Sequence, residues 1–572
     1  MFRGQIKKEI QSIVGDGVNF SVEVPENPEH GDYASNVALI LAKKEGKNPK
    51  ETAEEFKTKL LNGAAAKFVE RIDIAGPGFL NFWISRSALL ASLQSILKNN
   101  NPIPKDFEKV GKGKKVIVEY FQLNIAKRPH IGHIRSAVIG DALKRMLLSQ
   151  GYDAISDTHV GDWGTQFGIL LLEYKDLEPH MRREVFSGGD PFEKLENMYI
   201  SGNENITREA TRLDRAKEEF AKLEHGDAEN RKLWQEMIDL SMRKLLDSAA
   251  RLGLAPFEEH KGESSYEKVM PGIAEEALNK GVAQKKDDGA VIVDLTDENL
   301  DEAVLIKSDG ASTYLLRDLA TIKYRKEKYN FWKNLYVVDV RQEHHFRQVF
   351  RVAEKLGYEG VNESEHISFG FMKLPEGAIS TRKGTAIALD AVLDEAISRA
   401  RKAIEQKNPD LADKEGIAKA VGIGALKYFD LAHNRKSDIM FDWDTALSFE
   451  GNTGPYLQYT YARLRSILRK AGGGVSAKIS DAGFDEKERQ LLASLLRFPE
   501  AITDALAGYM PHMLAGYLFE LAQKANEFYH SHPVMQENDE MKKNARLALI
   551  AGVATTIKNG LFLLGIESPE EM

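Results

Sequence analysis

The chain has 572 residues, 42% of them apolar and 29% charged, and no cysteine. That length points to several domains with enough apolar side chains for real cores, and the missing cysteine excludes disulfides, thiolate nucleophiles, iron–sulfur ligation and cysteine-based zinc sites. The 78 basic and 86 acidic side chains leave a formal charge of −8, which suits solubility in a reducing, cytoplasmic compartment and advertises no nucleic-acid partner, so only the local distribution of charge can reveal one.

The start carries Arg3, Lys7, Lys8 and Glu9 and makes a poor secretory signal. Residues 1–104 alternate helical and strand-like patterns and end in a linker, Asn99-Asn100-Asn101-Pro102 with Pro104. Within them Phe79, Asn81 and Trp83 alternate on one face of a strand, either packed or turned toward a partner. Val116 to Phe121 reads as a buried strand. From Pro129, which presets a first helical turn, to Gln150, the residues Ile139, Leu143, Met146 and Leu147 form one helical stripe, with Gly151 where a C-terminal cap belongs. Strand, loop and helix open an α/β unit, for which Leu335 to Val340 supplies a second strand. Between the two strands, a charged and mostly helical tract at about 170–300 reads as an insertion. After about 400 the strand signals fade, and 401–572 reads as an all-α domain. Its most apolar stretch, Ala548 to Ile566, is broken by Gly552, Lys558, Asn559 and Gly560, so a buried helix is expected rather than a membrane span.

Asn124-Ile125-Ala126-Lys127-Arg128-Pro129-His130-Ile131-Gly132-His133 joins the first strand to its helix, where an α/β fold offers free backbone N–H groups to nucleotide phosphates. Gly132 lets an adenine ring approach the backbone, and two imidazoles one turn apart can donate to phosphate oxygens. GxxxxGK[ST], GxGxxG and GxSxG motifs do not occur, so ATP, if bound, is held differently. A zinc pair at i, i+3 is the rival reading of His130 and His133, but no third ligand is evident and HExxH is missing, so no metal is expected there.

With these residues the chain resembles the class I aminoacyl-tRNA synthetases, and among them the arginyl-tRNA synthetases. Around the His-Ile-Gly-His signature, the resemblance rests on five segments in order: Gly31 to Ala38, Asn124 to Lys127, His159 to Gly168, Ser380 to Gly384 and Gly454 to Arg463. It implies a Rossmann-like catalytic domain at 105–400 with the helical insertion, an N-terminal α+β domain at 1–104 that touches tRNA, and a C-terminal all-α anticodon-binding bundle at 401–572. The implied activity is ATP-dependent ligation of L-arginine to its cognate tRNA through an arginyl-adenylate, giving arginyl-tRNA, AMP and diphosphate. Mg²⁺ accompanies ATP as co-substrate; a monomer is implied, with no protein-bound zinc and no membrane partner, and arginine activation is expected to need bound tRNA. The competing class is a non-catalytic tRNA-binding paralogue of the same fold.

The resemblance also implies roles for residues. His130, Gly132 and His133 with Ser380, Thr381, Arg382 and Lys383 form the ATP site, the second group being the counterpart of the Lys-Met-Ser-Lys-Ser loop. Ile379 stands where methionine is common and the second lysine is lost, so Lys127 is expected to supply charge, its share with Arg382 and Lys383 left open. The expected catalytic set is Lys127, His130, Gly132, His133 and Lys383.

A guanidinium needs carboxylates arranged to meet its planar fork. Tyr314 and Asp318, four apart, share a face if helical; the resemblance makes this pair the guanidinium reader and adds Glu119, Asn124 and Gln342 as arginine contacts. Without it, Asp318 reads as a surface ion pair. Residues 105–150 hold ten basic against four acidic side chains, a phosphate-binding patch or a solvated run. Tyr456, Tyr459, Tyr461, Arg463 and Arg465 can stack on bases or face a core. The expected tRNA contacts are Phe79, Asn81, Trp83, Tyr456, Tyr459 and Arg463.

Overall fold

The structure, a computed structural model, describes every residue except 106, 188, 375–376, 379–386, 477–478 and 480–482. Its N-terminal part is an antiparallel sheet in the order β1-β2-β4-β3, formed by β1 (Val22–Glu23), β2 (Tyr33–Ser35), β3 (Val69–Ala75) and β4 (Phe79–Ile84). Around it lie α1 (Phe2–Val14), α2 (Val37–Glu45), α3 (Pro49–Leu61) and α4 (Arg86–Asn99). Leu80, Phe82 and Ile84 bury one face of β4. On the other face the three expected contacts diverge. Phe79 is 40% exposed, whereas Asn81 is only 5% exposed, because β4 is a central strand with Ala34 and Asp73 as its neighbours. Trp83 donates to Asp73, and the guanidinium groups of Arg71 and Arg489 lie 4.4 and 5.3 Å from its ring. Asn81 therefore offers almost no surface to a base in this conformation.

The central sheet is parallel, in the order β11-β10-β5-β6. Its first strand, β5 (Lys115–Glu119), holds Val116, Ile117 and Val118, all buried, as a strand covered on both faces requires. α5 (Ile134–Ser149) leads to β6 (Asp153–Asp157), and Gly151 follows the helix with φ of +82°, the left-handed cap expected. The helix starts later than the sequence suggests. His130 is extended and bridges Ala388, Pro129 accepts from Leu389 N–H, and a 3₁₀ turn at Ile131–His133 precedes α5. Pairing with the 387–389 segment thus outcompetes the helical preference of Pro129.

The insertion begins with helices: α6 (Thr165–Asp176), α7 (Pro179–Val185), α8 (Pro191–Arg208), α9 (Thr211–Glu224), α10 (Ala228–Arg251) and α11 (Met270–Asn279). It closes with a small antiparallel sheet of β7 (Gln284–Lys285), β8 (Val291–Val293) and β9 (Ala303–Ile306). Then come α12 (Tyr314–Tyr329), β10 (Lys333–Tyr336), α13 (Glu343–Lys355), β11 (Glu365–His366), β12 (Met372–Leu374), β13 (Gly377–Ala378), α14 (Leu389–Lys407) and α15 (Lys414–Leu431). The next element is a strand that the fading β signal did not lead one to expect: β14 (Ile439–Met440), two residues long, pairs parallel with β12. A pair of residues is too short to show a period.

The remainder is helical, as expected: α16 (Trp443–Ala446), α17 (Gly454–Lys470), α18 (Glu486–Leu495), α19 (Phe498–Ala507), α20 (Pro511–Ser531) and α21 (Glu540–Leu563). α21 is long and apolar enough to cross a membrane by length and composition, yet 67% of its most apolar window is buried within the protein. The N-terminal part is clamped to this bundle. Gly31 (φ +94°) brings the backbone so close to Phe82 that a Cβ would lie 2.7 Å from its carbonyl oxygen. The buried Asp32 carboxylate then accepts from Ile84 N–H at 2.7 Å and from Arg489 at 2.5 Å. Tyr33 donates to Glu500 at 2.9 Å, and Arg3 pairs with Asp504 at 2.8 Å.

The basic run at 105–150 is only partly a surface patch. Arg135 is buried against Asp430 and donates to the carbonyls of Gly370 and Ser437, Lys144 is buried against Glu258, and Arg145 pairs with Asp141. These three are internal ties.

Candidate active site

Parallel register sets three side chains in one row at the carboxyl end of the sheet, since Glu119 on β5 is opposite Asp157 on β6 and Tyr336 on β10. The chain leaves β5 for β6 on one side while β10 lies on the other, so this row sits at the switch point where open α/β sheets bind ligands. Two buried carboxylates side by side need a counter-charge. Arg325 of α12 supplies it, its Nη2 reaching Glu119 Oε2 and Asp157 Oδ2, each at 2.6 Å. Burial pushes the Asp157 carboxyl up, but Arg325 and His159 together outweigh it and hold the group below its usual range. Glu119, expected to touch the amino acid, is thus already engaged, its other oxygen accepting from Gln122.

Asp318 differs. It lies one turn into α12, whose first residue, Tyr314, is 69% exposed and whose N-cap, Thr313, accepts from Leu316 N–H. Tyr314 and Asp318 do lie four apart on one helix, as expected. Asp318 Oδ2 meets His345 Nε2 at 2.5 Å. The neighbouring Glu263 is taken by Arg317 at 3.1 Å. Gln342, one turn before His345, is exposed at the start of α13. His159 stands among Glu119, Asp157 and Asp318 in a left-handed conformation (φ +39°), and these carboxylates raise its pKa against the effect of burial.

The loop from β5 to α5 crosses toward the second cluster. Phe121 and Ala126 adopt positive φ, and Asn124, exposed, bridges Gly161, where a Cβ would lie 2.3 Å from Asn124 Oδ1. A larger residue there would have to displace the Asn124 side chain. Lys127 lies 4.9 Å from the Tyr199 ring, and Arg128 is bound to Glu196 of α8 at 2.8 Å, so the insertion buttresses this loop.

At the end of the loop the two imidazoles lock each other. His130 Nδ1 accepts from Gly132 N–H at 3.1 Å, His133 Nδ1 accepts from His130 N–H at 3.1 Å, and the ring centres are 3.9 Å apart. Two accepting Nδ1 atoms place the ring protons on Nε2. Burial lowers the His130 pKa to about 4, and burial together with the neighbouring His130 lowers that of His133 to about 3. Both are therefore neutral hydrogen-bond donors at neutral pH. Burial disfavours a positive charge on them in the free chain. Gly132 has a local reason as well, since a Cβ would lie 2.9 Å from the His130 ring.

Ser380, Thr381, Arg382 and Lys383 lie outside the described residues. The segment just after them is anchored to the backbone on either side of His130: Ile131 N–H donates to Ile387 O at 3.1 Å, and Leu389 N–H to Pro129 O at 2.9 Å. In the bundle, Tyr459 is 41% exposed with Arg463 5.7 Å from its ring. Tyr456 is half-buried with its hydroxyl accepting from Asn526, and Tyr461 is buried. The structure thus gathers Glu119, Asn124, Lys127, His130 and His133 along one loop and its flanking elements, with Asp318 beside the sheet end. Asp157, Arg325 and His345 were missed. The Asp157 side chain could have been found from its place at the end of the strand after α5.

Comparison with known proteins accords with this arrangement. A family model described as tRNA synthetases class I (R), catalytic domain, matches residues 92–443, one for an arginyl tRNA synthetase N terminal domain matches 1–84, and one for a DALR anticodon binding domain matches 457–572. The chain is 38% identical over 554 residues to the arginine–tRNA ligase of Fusobacterium nucleatum, covering 95% of this chain and 94% of that protein. It is 37% identical to that of Halothermothrix orenii, covering 99% and 98%. The crystal structure of arginyl-tRNA synthetase from Plasmodium falciparum superposes with a TM-score of 0.84 at 25% identity, covering 100% of this chain and 98% of that one. The Thermus thermophilus arginyl-tRNA synthetase gives 0.82 at 26% identity, with 100% of each chain covered. With full-length relatives at this identity and domain models along its whole length, the chain belongs to the arginyl-tRNA synthetase family.

Proposed function

We propose that the chain ligates L-arginine to its cognate tRNA at the expense of ATP, with the reaction centred on the β5–α5 loop. The arginine carboxylate attacks the α-phosphorus of ATP and expels diphosphate; the 2′-hydroxyl of the tRNA's terminal ribose then attacks the adenylate carbonyl and releases AMP. No protein nucleophile is needed, so catalysis rests on positioning and on donors aimed where negative charge accumulates. The observation that carries this reading is the pairing, across one loop, of two backbone-locked imidazoles whose Nε2–H groups have no partner among the described residues and an acidic cluster at the sheet end.

His130 and His133 would donate to phosphate oxygens, with Lys127 and the 380–383 segment adding charge. The anchoring of Ile387 and Leu389 beside the imidazoles supports that role for the preceding residues. ATP enters as its Mg²⁺ complex, the ion held chiefly by phosphates. Asp318 takes the substrate guanidinium with Tyr314 at its rim, while Asn124 and Gln342 are exposed for the amino acid's polar groups. Glu119 and Gly132 act through the walls they form. Phe79, Trp83, Tyr459 and Arg463 remain as tRNA contacts, Tyr456 offers only its ring, and Asn81 is withdrawn. We read the domains as 1–104, 105–400 and 401–572, and the working unit as a cytoplasmic monomer.

The test is charging of the organism's own tRNA with each amino acid in turn, with ATP and Mg²⁺. Arginine alone should be esterified. Failure to charge arginine while tRNA still binds would favour the non-catalytic paralogue, for which no observation here speaks.

A further inference from the structure

The acidic cluster contains an asymmetry that the reaction scheme leaves unused. Glu119 and Asp157 share the guanidinium of Arg325, and Glu263 has that of Arg317. Asp318, in the same cluster, has no guanidinium among the described residues; its partner is the imidazole of His345. Of these four carboxylates Asp318 alone meets no guanidinium among the described residues, and the substrate side chain is a guanidinium. This inference rests on the reading of Asp318 as the contact for arginine.

His345 is built to hold that carboxylate still. A carboxylate only accepts, so the imidazole donates Nε2–H to Oδ2. The ring is itself braced edge-on by Phe346 at 5.5 Å, a buried residue of the same helix. Each carboxylate oxygen has two acceptor directions, so one bond from His345 leaves capacity for a bidentate guanidinium while removing the rotational freedom of Asp318. We propose that His345 is a positioning residue for arginine recognition, fixing the Asp318 carboxylate from α13 so that the substrate guanidinium completes the cluster.

The experiment is steady-state aminoacylation by the full chain with tRNA, comparing His345→Ala, His345→Gln, Asp318→Asn and the double variant His345→Ala/Asp318→Asn. His345→Ala should raise the arginine KM about tenfold, with kcat and the ATP KM within about twofold, because a misplaced contact weakens binding of the group it meets. His345→Gln, whose amide can still donate to Asp318, should recover most of the loss. In the Asp318→Asn background, His345→Ala should add less than about twofold, the non-additivity expected of residues acting as one unit. An unchanged arginine KM in His345→Ala, an equal rise in arginine and ATP KM, or a full further loss in the double variant would each overturn the proposal. Wild-type chain that charges no arginine would instead sink the functional reading on which it rests.

Discussion

The two ends of the β5–α5 loop handle polarity in opposite ways. At the imidazole end, uncharged rings are held by backbone N–H groups only a few residues away, at 3.1 Å. At the sheet end, full charges are balanced by charges from elements far apart in the chain, Arg325 reaching across 206 residues to Glu119 and 168 to Asp157. The first arrangement is local, and in the proposed reaction its donors meet a phosphate. The second holds the fold itself, and Asp318, whose partner among the described residues is an imidazole, is the carboxylate proposed for a cationic substrate. Neutral donors suit a charge that develops and departs; formal charges suit one that is permanent.

The largest effect that would sharpen this contrast is at Asp318. Asp318→Asn should lower kcat/KM for arginine about 1,000-fold or more, since a site dependent on a charged hydrogen bond discriminates strongly, while the ATP KM moves less than about threefold. A variant with near-normal arginine kinetics would remove Asp318 from the pocket. Next, Arg325→Ala leaves two buried carboxylates unpaired and should cost about 3–5 kcal/mol of stability by denaturant titration. His130→Ala should leave the unfolding midpoint nearly unchanged and lower the charging rate about 100-fold, the scale of a lost transition-state donor. His130→Asn, able to accept from Gly132 and donate outward, should retain more activity than the alanine variant. If Arg325→Ala proved no less stable than His130→Ala, the division between a structural and a reactive end would fail.

The smallest effect concerns pH. Both imidazoles have folded pKa values below that of a free histidine, about 4 and about 3, so the unfolded chain binds more protons as pH falls below roughly 6.5. Their contribution to stability is fully present above that value and is lost as pH drops toward about 4 and then about 3. A His130→Ala/His133→Ala variant should therefore lose stability less steeply between pH 6.5 and 4 than the parent chain, as followed by denaturant titration. The charge state of these rings should not alter the ATP KM between pH 6 and 8.

What the sequence shows and what it hides follow the same division. The run Val116 to Val118, the stripe through Leu143 and Leu147, Gly151, and the Tyr314–Asp318 spacing all depend on neighbours within a turn or a strand, and each lies in the element its pattern indicates. The start of α5 was misread because Pro129 and His130 pair with residues near 388, a contact no local pattern carries. Asn81 looked outward by alternation, but alternation cannot say whether a strand is central in its sheet. Arg325 is one of many basic residues on a charged helix, and only the register of β5 against β6 shows why it must be buried. His345 has no signal beyond lying one turn after Gln342.

The clamp of Asp32 by Arg489 has a consequence for how the chain is made. Its two halves are separated by 457 residues, so at a synthesis rate of roughly 5–20 residues per second the carboxylate waits on the order of 20 to 90 s for its guanidinium. During that interval the N-terminal sheet must persist on the ribosome with only its own hydrophobic layer. Nascent chains halted before α18 emerges should accordingly show this sheet folded but easily cleaved by protease, and resistance should rise sharply once α18 and α19 are free to close the clamp.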